Sequence, residues 1–570
     1  MPGQLAISIG QYSDKGRKEI NQDFHGALIP EEPLLSLKGI AVLLADGISS
    51  SDVSHIASES AVKSFLTDYY CTSDTWSVKT SAQRVIVATN SWLHAQTRRS
   101  QFPYERDRGY VCTLSAMVIR AATAHVFHIG DARIYRVTEK GLEQLTEDHR
   151  VVVSSEQSYL GRALGVKDQV EIDYWATSLQ KGDTFLLATD GAYEHVPPQF
   201  VADALGRADA DLDAAARAIG EEAYRRGSTD NITVQIVRID NLPEGDAGDL
   251  ISQKGADLPL PPLPEARMEF DGYTIVREIH ASSRSHIYLA IDSADGRLVA
   301  LKLPSIDLGG DANYLRRFRM EEWVARRIDS AHVLKPRNQL RRRNYLYIAS
   351  EFVEGQTLRQ WMTDNPDPPL ETVRDIVEQI AKGLQAFHRL EMLHQDLRPE
   401  NIMIDRTGTA KIIDFGATRI AGITDDPPHE ILGTAQYTAP EYFLGEGGSS
   451  GSDIFSLAVI AYEMLTGRLP YGAAVAKTRT RAQQRKLKYR SALDEQRGIP
   501  TWVDRALNKA VEPDPTRRYA ELSEFLFDLR NPNPSLEASP SALIDRNPLL
   551  LWQCVAAALA IAVLVLLATR

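Results

Sequence analysis

Cysteine is scarce: Cys71, Cys112 and Cys554 are the three in 570 residues. They are too few and too scattered for a disulfide framework or a zinc cluster. Cys112, inside the apolar run 111–119, reads as a buried, inert thiol. Excess positive charge is also missing. A net charge of −12 leaves no basic field to hold nucleic-acid phosphates, so nucleic acid is not expected as a partner. The opening Met1-Pro-Gly-Gln-Leu5 has no basic stretch leading into an apolar core, so no secretory signal is read there. Internal repeats are absent. What is present is ordinary for folded domains, 43% apolar and 25% charged residues, and the length implies two or more domains.

Two proline-rich stretches without hydrophobic periodicity divide the chain. One spans 241–269, with Pro243, Pro259, Pro261, Pro262 and Pro264, and the other spans 531–548. They separate a first domain at 1–240 and a second at 270–530 from an apolar run at 549–568, where Gln553 is the one clearly polar side chain. At ~1.5 Å per residue such a helix spans roughly 30 Å, enough to cross a bilayer. The run predicts a single-pass C-terminal transmembrane helix. With Arg546 ahead of it, both larger domains are expected on the cytoplasmic side of an inner membrane.

In the first domain, Gly39–Ala45, Ala124–Ile129 and Thr184–Thr189 predict buried strands, and Ala210–Arg225 predicts a helix. Aspartates fall where these strands end: Asp46, Asp131 and Asp190 follow apolar runs, while Asp230 precedes the apolar run 232–237 and Asp23 closes Asn21-Gln22-Asp23. Any single one is explained by a turn beside its neighbouring glycine. Several carboxylates sharing a cleft repel one another unless cations neutralise them, and all-oxygen ligand sets select Mg²⁺ or Mn²⁺ over zinc.

In order, the motifs are Asn21-Gln22-Asp23, Ala45-Asp46-Gly47, Gly130-Asp131-Ala132-Arg133, Thr189-Asp190-Gly191 and Asp230-Asn231-Ile232-Thr233. Together they resemble the PPM family of metal-dependent protein Ser/Thr phosphatases across Ile7 to Arg238. The resemblance implies an αββα sandwich with a two-metal centre between the sheets. Asp23, Asp46, Asp190 and Asp230 would hold the metals with help from the Gly47 carbonyl, and Asp131 would belong to a weaker third site. Ser49-Ser50 stand where the family often has two glycines. The basic residue expected to bind phosphate is either Arg17 or Lys18.

The second domain opens with strand-like pieces (Tyr273–Ile279, Ile287–Ile291, Leu298–Leu303) and then turns helical. His394-Gln395-Asp396-Leu397-Arg398-Pro399-Glu400-Asn401 is followed by Asp414-Phe415-Gly416, Gly433-Thr434 and Ala439-Pro440-Glu441. Upstream, Val299-Ala300-Leu301-Lys302 precedes Glu321. This order resembles the Hanks-type Ser/Thr protein kinases from Tyr273 to about Leu529 and implies a bilobal fold. Lys302, oriented by Glu321, would hold ATP phosphates. Asn401 and Asp414 would bind Mg²⁺, Asp396 would accept the proton of the attacking hydroxyl, and Arg398 would sit near the γ-phosphate. Arg518 is the expected partner of Glu441, and Asp453 matches a structural position of the family.

Two departures stand out. His280-Ala281-Ser282-Ser283-Arg284-Ser285 replaces the glycine-rich phosphate loop, and Gln395 replaces an arginine. The basic stretch Ala473–Arg490 reads as a solvated surface in preference to a lipid or substrate dock. The chain is therefore expected to be a multidomain α+β, membrane-tethered kinase and phosphatase acting on phosphoproteins, its own kinase domain among them. The alternative is a phosphatase with a pseudokinase that senses nucleotide or binds a partner.

Overall fold

The computed structural model describes residues 4–537, apart from 101–104, 106–107, 139–140, 155–156, 207–210, 244–257, 338–342, 422–435 and 494–496, together with Gln553. The apolar run at 549–568 therefore lies, Gln553 excepted, outside the described residues. Among those described, no helix is long and apolar enough to cross a membrane.

Among the described residues the first domain carries twelve strands: β1 (Ala6–Asp14), β2 (Phe24–Leu28), β3 (Ile40–Ala45), β4 (Leu114–Arg120), β5 (Thr123–Ile129), β6 (Arg133–Thr138), β7 (Gly141–Gln144), β8 (Arg150–Ser154), β9 (Gln157–Leu160), β10 (Asp173–Ser178), β11 (Thr184–Ala188) and β12 (Ile232–Asn241). Ten of them form two five-stranded sheets, ordered β1-β12-β11-β6-β7 and β10-β5-β4-β3-β2, and β8 pairs with β9 as a separate hairpin.

Strand alternation explains why β3 is apolar throughout. Ile40, Val42 and Leu44 face the core between the sheets, shared with Phe185, Leu187, Val237 and Ile239. Ala41, Leu43 and Ala45 face outward, packing with Phe65 and Ile86 of the helices Ser54–Cys71 and Val78–Arg99. On the other sheet, Leu186, Ala188, Val234 and Ile236 face outward against Ala216 and Ile219 of the helix Leu212–Arg225. A strand buried on both faces has no polar side to show. The result is a helix–sheet–sheet–helix sandwich.

The second domain begins with a five-stranded antiparallel sheet: β13 (Glu269–Phe270), β14 (Tyr273–Ala281), β15 (Ser285–Asp292), β16 (Leu298–Pro304) and β17 (Ile348–Glu351). Beside it lies the helix Ala312–Ala325. The remainder is mainly helical, built on the buried helices Leu370–His388 and Ser450–Thr466. Arg518 and Glu441 form a double ion pair at 2.8 and 2.7 Å, buried within this half. Asp453 accepts from the backbone of His394 and Gln395 at 3.0 Å each, pinning the loop that carries Asp396.

The proline-rich stretch does not stay clear of the folded domains. Leu258 and Leu260 pack against Phe318, Leu346 and Ile348, and the Leu346 amide donates to the Pro259 carbonyl at 3.0 Å. Proline excludes regular helix and central strand, yet the leucines between the prolines still find an apolar groove.

The two halves also touch. The Trp76 indole N–H donates to the Arg389 carbonyl at 2.9 Å. One Glu391 oxygen accepts from the Ser77 amide at 2.7 Å and the other from the Thr80 hydroxyl at 2.5 Å. Arg327 pairs with Asp74 at 3.5 Å. Glu391 thus sits at the N-terminus of the helix Val78–Arg99, where carboxylates are stabilised. It does so from a backbone φ of 56°.

Candidate functional site

Antiparallel register gathers the aspartates of the first domain. Phe24 on β2 faces Ala45 on β3, so Asp23, just before one strand, meets Asp46, just after the other. Ala188 on β11 faces Val234 on β12, which brings Asp190 and Asp230 to the same end of the second sheet. Two glycines let the loops close. A Cβ on Gly191 would stand 2.0 Å from the Asn231 carbonyl oxygen, and one on Gly47 would stand 2.8 Å from that of Gln22. The Asn231 side chain accepts from the Gln22 amide at 2.8 Å and donates to the Lys15 and Ile20 carbonyls, tying the β1–β2 loop to the turn before β12.

One Asp23 oxygen accepts from the Thr189 and Thr233 hydroxyls at 3.0 and 2.7 Å. The other is buried without a hydrogen-bond partner. Burial raises the Asp23 carboxyl to about 6 and the Asp190 carboxyl to about 7. Asp46 is pushed well above the usual carboxylate range, by burial first and then by Asp23, Asp190 and Asp131. An unpartnered buried oxygen among mutually repelling carboxylates is the chemistry of a divalent-cation site, and the residues fit that group. Among the described residues, no three such side chains already converge as they would around an ion.

Asp131 is arranged differently. Its carboxylate is held by the Arg150 guanidinium at 2.6 Å, and Arg150 also pairs with Asp190 at 2.7 Å and Glu194 at 2.8 Å. A weaker third metal site at Asp131 therefore does not fit this arrangement. The Asp131 turn is fixed by His149, whose ring accepts from the Gly130 amide at 3.0 Å and meets Asp173 at 2.8 Å. Between the two basic candidates, Lys18 lies beside the site, 3.4 Å from Asp230 and 3.0 Å from the Ser49 hydroxyl. Arg17 instead lies over the Tyr224 ring. Thr189, Asn231 and Thr233 stand inside the motifs quoted above but gain their roles only from the structure, and Arg150 is an addition that sequence reasoning did not single out.

The second domain has a cavity of about 880 Å³ between its lobes, lined by Lys302, Glu321, Asp396, Arg398, Asn401 and Asp414 among others. Lys302, on β16, bonds both Glu321 oxygens at 2.7 Å and Asp414 at 3.2 Å. Burial works against its charge, but Asp414 and Glu321 outweigh it and hold the ammonium protonated. For Asp414 the opposing effect is again burial. Lys302 and the Gly416 amide overcome it and bring the carboxyl down to about 2. The Asn401 amide donates to the Asp396 backbone oxygen at 2.9 Å and to its carboxylate at 3.1 Å. Arg398 stands 3.7 Å from that carboxylate. Burial raises the Asp396 carboxyl. Thr434 lies outside the described residues.

The glycine-less loop is a closed serine turn. The Ser282 hydroxyl accepts from the amides of Arg284 and Ser285 at 3.3 and 3.1 Å and lies 3.1 Å from the Ser285 carbonyl. The Tyr314 hydroxyl donates to the Arg284 carbonyl and accepts from the Ser305 amide at 2.9 Å. The Arg284 and Ser285 amides, two donors that could face phosphate, are thus already satisfied. Ser282→Gly combined with Ser285→Gly frees them, and ATP·Mg should bind about threefold to tenfold more tightly, the worth of about one hydrogen bond. Titration with a fluorescent ATP analogue reads this directly. Unchanged or weaker binding would show that the serine turn is not what limits affinity.

Comparison with known proteins agrees with both halves. Residues 273–528 match the protein kinase domain and residues 11–222 match protein phosphatase 2C. The serine/threonine-protein kinase PrkC of Bacillus subtilis is 32% identical over 260 residues, 45% of this chain and 40% of that protein. The serine/threonine-protein kinase PknL of Mycobacterium bovis is 30% identical over 271 residues, 47% of this chain and 67% of that protein. The catalytic domain of the phosphatase PstP, solved in complex with two manganese ions, is 23% identical with a TM-score of 0.34, covering 41% of this chain and 99% of that one. The chain belongs to the serine/threonine protein kinases. It is a fusion, with a protein phosphatase 2C domain preceding the kinase domain. It spans less than half the length of PrkC.

Proposed function

We propose that the chain is a bifunctional signalling enzyme that adds phosphate to Ser/Thr residues of proteins with one domain and removes it with the other. The observation that carries this reading is the assembled set Lys302–Glu321–Asp414 and Asp396–Asn401 around one cavity. In the kinase, Lys302, oriented by Glu321, binds the ATP phosphates, and Arg398 faces the γ-phosphate. Asn401 and Asp414 would hold Mg²⁺. Asp396 takes the proton of the attacking hydroxyl, kept in reach by Asn401.

In the phosphatase, Asp23, Asp46, Asp190, Asp230 and the Gly47 carbonyl would hold two Mn²⁺ or Mg²⁺ ions. Such ions supply an acidified water and charge neutralisation for phosphoryl transfer. Thr189 and Thr233 hold one Asp23 oxygen and leave the other, unpartnered, for a cation. Lys18, beside Asp230, meets the substrate phosphate.

The apolar run at 549–568 supports a membrane anchor with both domains on the cytoplasmic side. Substrates are phosphoproteins, and the kinase domain is itself one of them. Full-length protein given labelled ATP and Mn²⁺ should accumulate little phosphate, and Asp190→Asn protein much more. Adding Asp414→Asn should return the signal to background. The serine turn over the cavity favours one other reading, a pseudokinase that binds nucleotide without turnover. Equal, blank signals in wild type and Asp190→Asn protein would count against the bifunctional reading and favour the pseudokinase.

A further inference from the structure

Arg150 is the first residue of β8, in a hairpin outside both sheets of the sandwich. Its three guanidinium nitrogens each meet a different carboxylate: Nε on Asp131 at 2.6 Å, Nη2 on Asp190 at 2.7 Å and Nη1 on Glu194 at 2.8 Å. Asp190 and Glu194 bracket the short helix Asp190–Tyr193, Asp131 comes from the turn between β5 and β6, and Asp131 is buried. Three carboxylates grouped this closely need a positive charge among them, and the planar guanidinium supplies one in a geometry no ammonium matches.

The arrangement has a neighbour that it must affect. Asp190 also belongs to the Asp23–Asp46–Asp190–Asp230 set, so one of its oxygens is turned outward to Arg150. We propose that the Arg150 guanidinium is the resident cation of this outer acidic cluster. It closes Asp131 to a divalent ion, limits the phosphatase to a two-ion centre and orients Asp190 toward that centre. The inference rests on the paired-ion reading above. Arg150 is a positioning residue, acting through Asp190 and Asp131.

The ions can be counted without measuring turnover. Full-length protein carrying Asp414→Asn throughout, which removes the kinase domain's own cation ligand, is stripped with chelator and titrated with Mn²⁺, and free Mn²⁺ is followed by electron paramagnetic resonance. Wild type should take up two equivalents, and Asp131→Asn protein the same two, because Asp131 already has its cation. Arg150→Ala and Arg150→Ser should gain a third equivalent, lost again when Asp131→Asn is added. Retention of the first two equivalents shows that these variants are folded. A wild type that binds three ions, one of them lost in Asp131→Asn, overturns the inference and leaves the paired-ion reading standing. So does the absence of a gained ion in both Arg150 variants. A wild type that binds no Mn²⁺ overturns both.

Discussion

Asp46→Ala should abolish phosphate-ester hydrolysis by the full-length chain, a loss of about a thousandfold or more, while ATP binding by the other domain is untouched. Asp46 stands at the centre of the acid set: burial and the charges of Asp23, Asp190 and Asp131 all push its carboxyl up. With the cations bound, that repulsion becomes attraction, and removing one carboxylate ligand forfeits several kcal/mol of stabilisation at about 1.36 kcal/mol per tenfold in rate. The same substitution should raise the melting temperature of the metal-free protein, because it removes a carboxyl crowded by Asp23, Asp190 and Asp131 and leaves the Thr189–Asp23–Thr233 bonds in place. A substitution that merely damaged the fold would lower both quantities. Hydrolysis that persists in chelator, or in Asp46→Ala protein, would refute a cation-dependent site.

Asp396→Asn should slow phosphoryl transfer to protein substrate by about 10²–10⁴-fold, the usual contribution of a positioned general base. The Asn401 amide anchors the Asp396 side chain, and Asp453 anchors the backbone of the two residues before it, so the substitution removes a proton acceptor without freeing the loop. Affinity for ATP should stay within about twofold, since a proton acceptor contributes to the transition state and not to ground-state binding. Lys302→Met should show the opposite division, with nucleotide affinity falling as well. Its ammonium bonds both Glu321 and Asp414, and its loss leaves the two carboxylates without their shared cation. Equal rates for wild type and Asp396→Asn protein would assign the measured phosphate transfer to another enzyme.

Much of both sites was legible because the chemistry sits at strand ends. A run such as Ile40–Ala45 announces a strand buried on both faces, and the aspartate after it must emerge at an edge. Antiparallel pairing then does the rest, carrying Asp23 to Asp46 and Asp190 to Asp230. The kinase residues were legible from order and spacing, and the Lys302–Glu321 and Glu441–Arg518 pairs form as that order implies.

Arg150 was not legible. It lies 19, 40 and 44 residues from its three partners, in a hairpin with no periodicity that points it inward. The choice between Arg17 and Lys18 also needed coordinates, because adjacent side chains on a loop point to different places by small changes in backbone angle. Leu258 and Leu260 were hidden by their prolines. Composition reports what backbone a segment cannot form, and two leucines are enough to seat it in a groove that the sequence does not display.

The seam through Glu391 bears on how the two enzymes share one chain. Its hydrogen bonds and the Arg327–Asp74 ion pair are all polar, and among the described residues none of the hydrophobic clusters spans both halves. A joint of this kind opens without breaking a core, on the roughly microsecond-to-millisecond scale of domain motions. Water replaces each bond as it parts, and dissolved salt weakens the Arg327–Asp74 attraction. Ionic strength therefore acts as a dial on how often phosphatase and kinase are held together or released to the length of their tether.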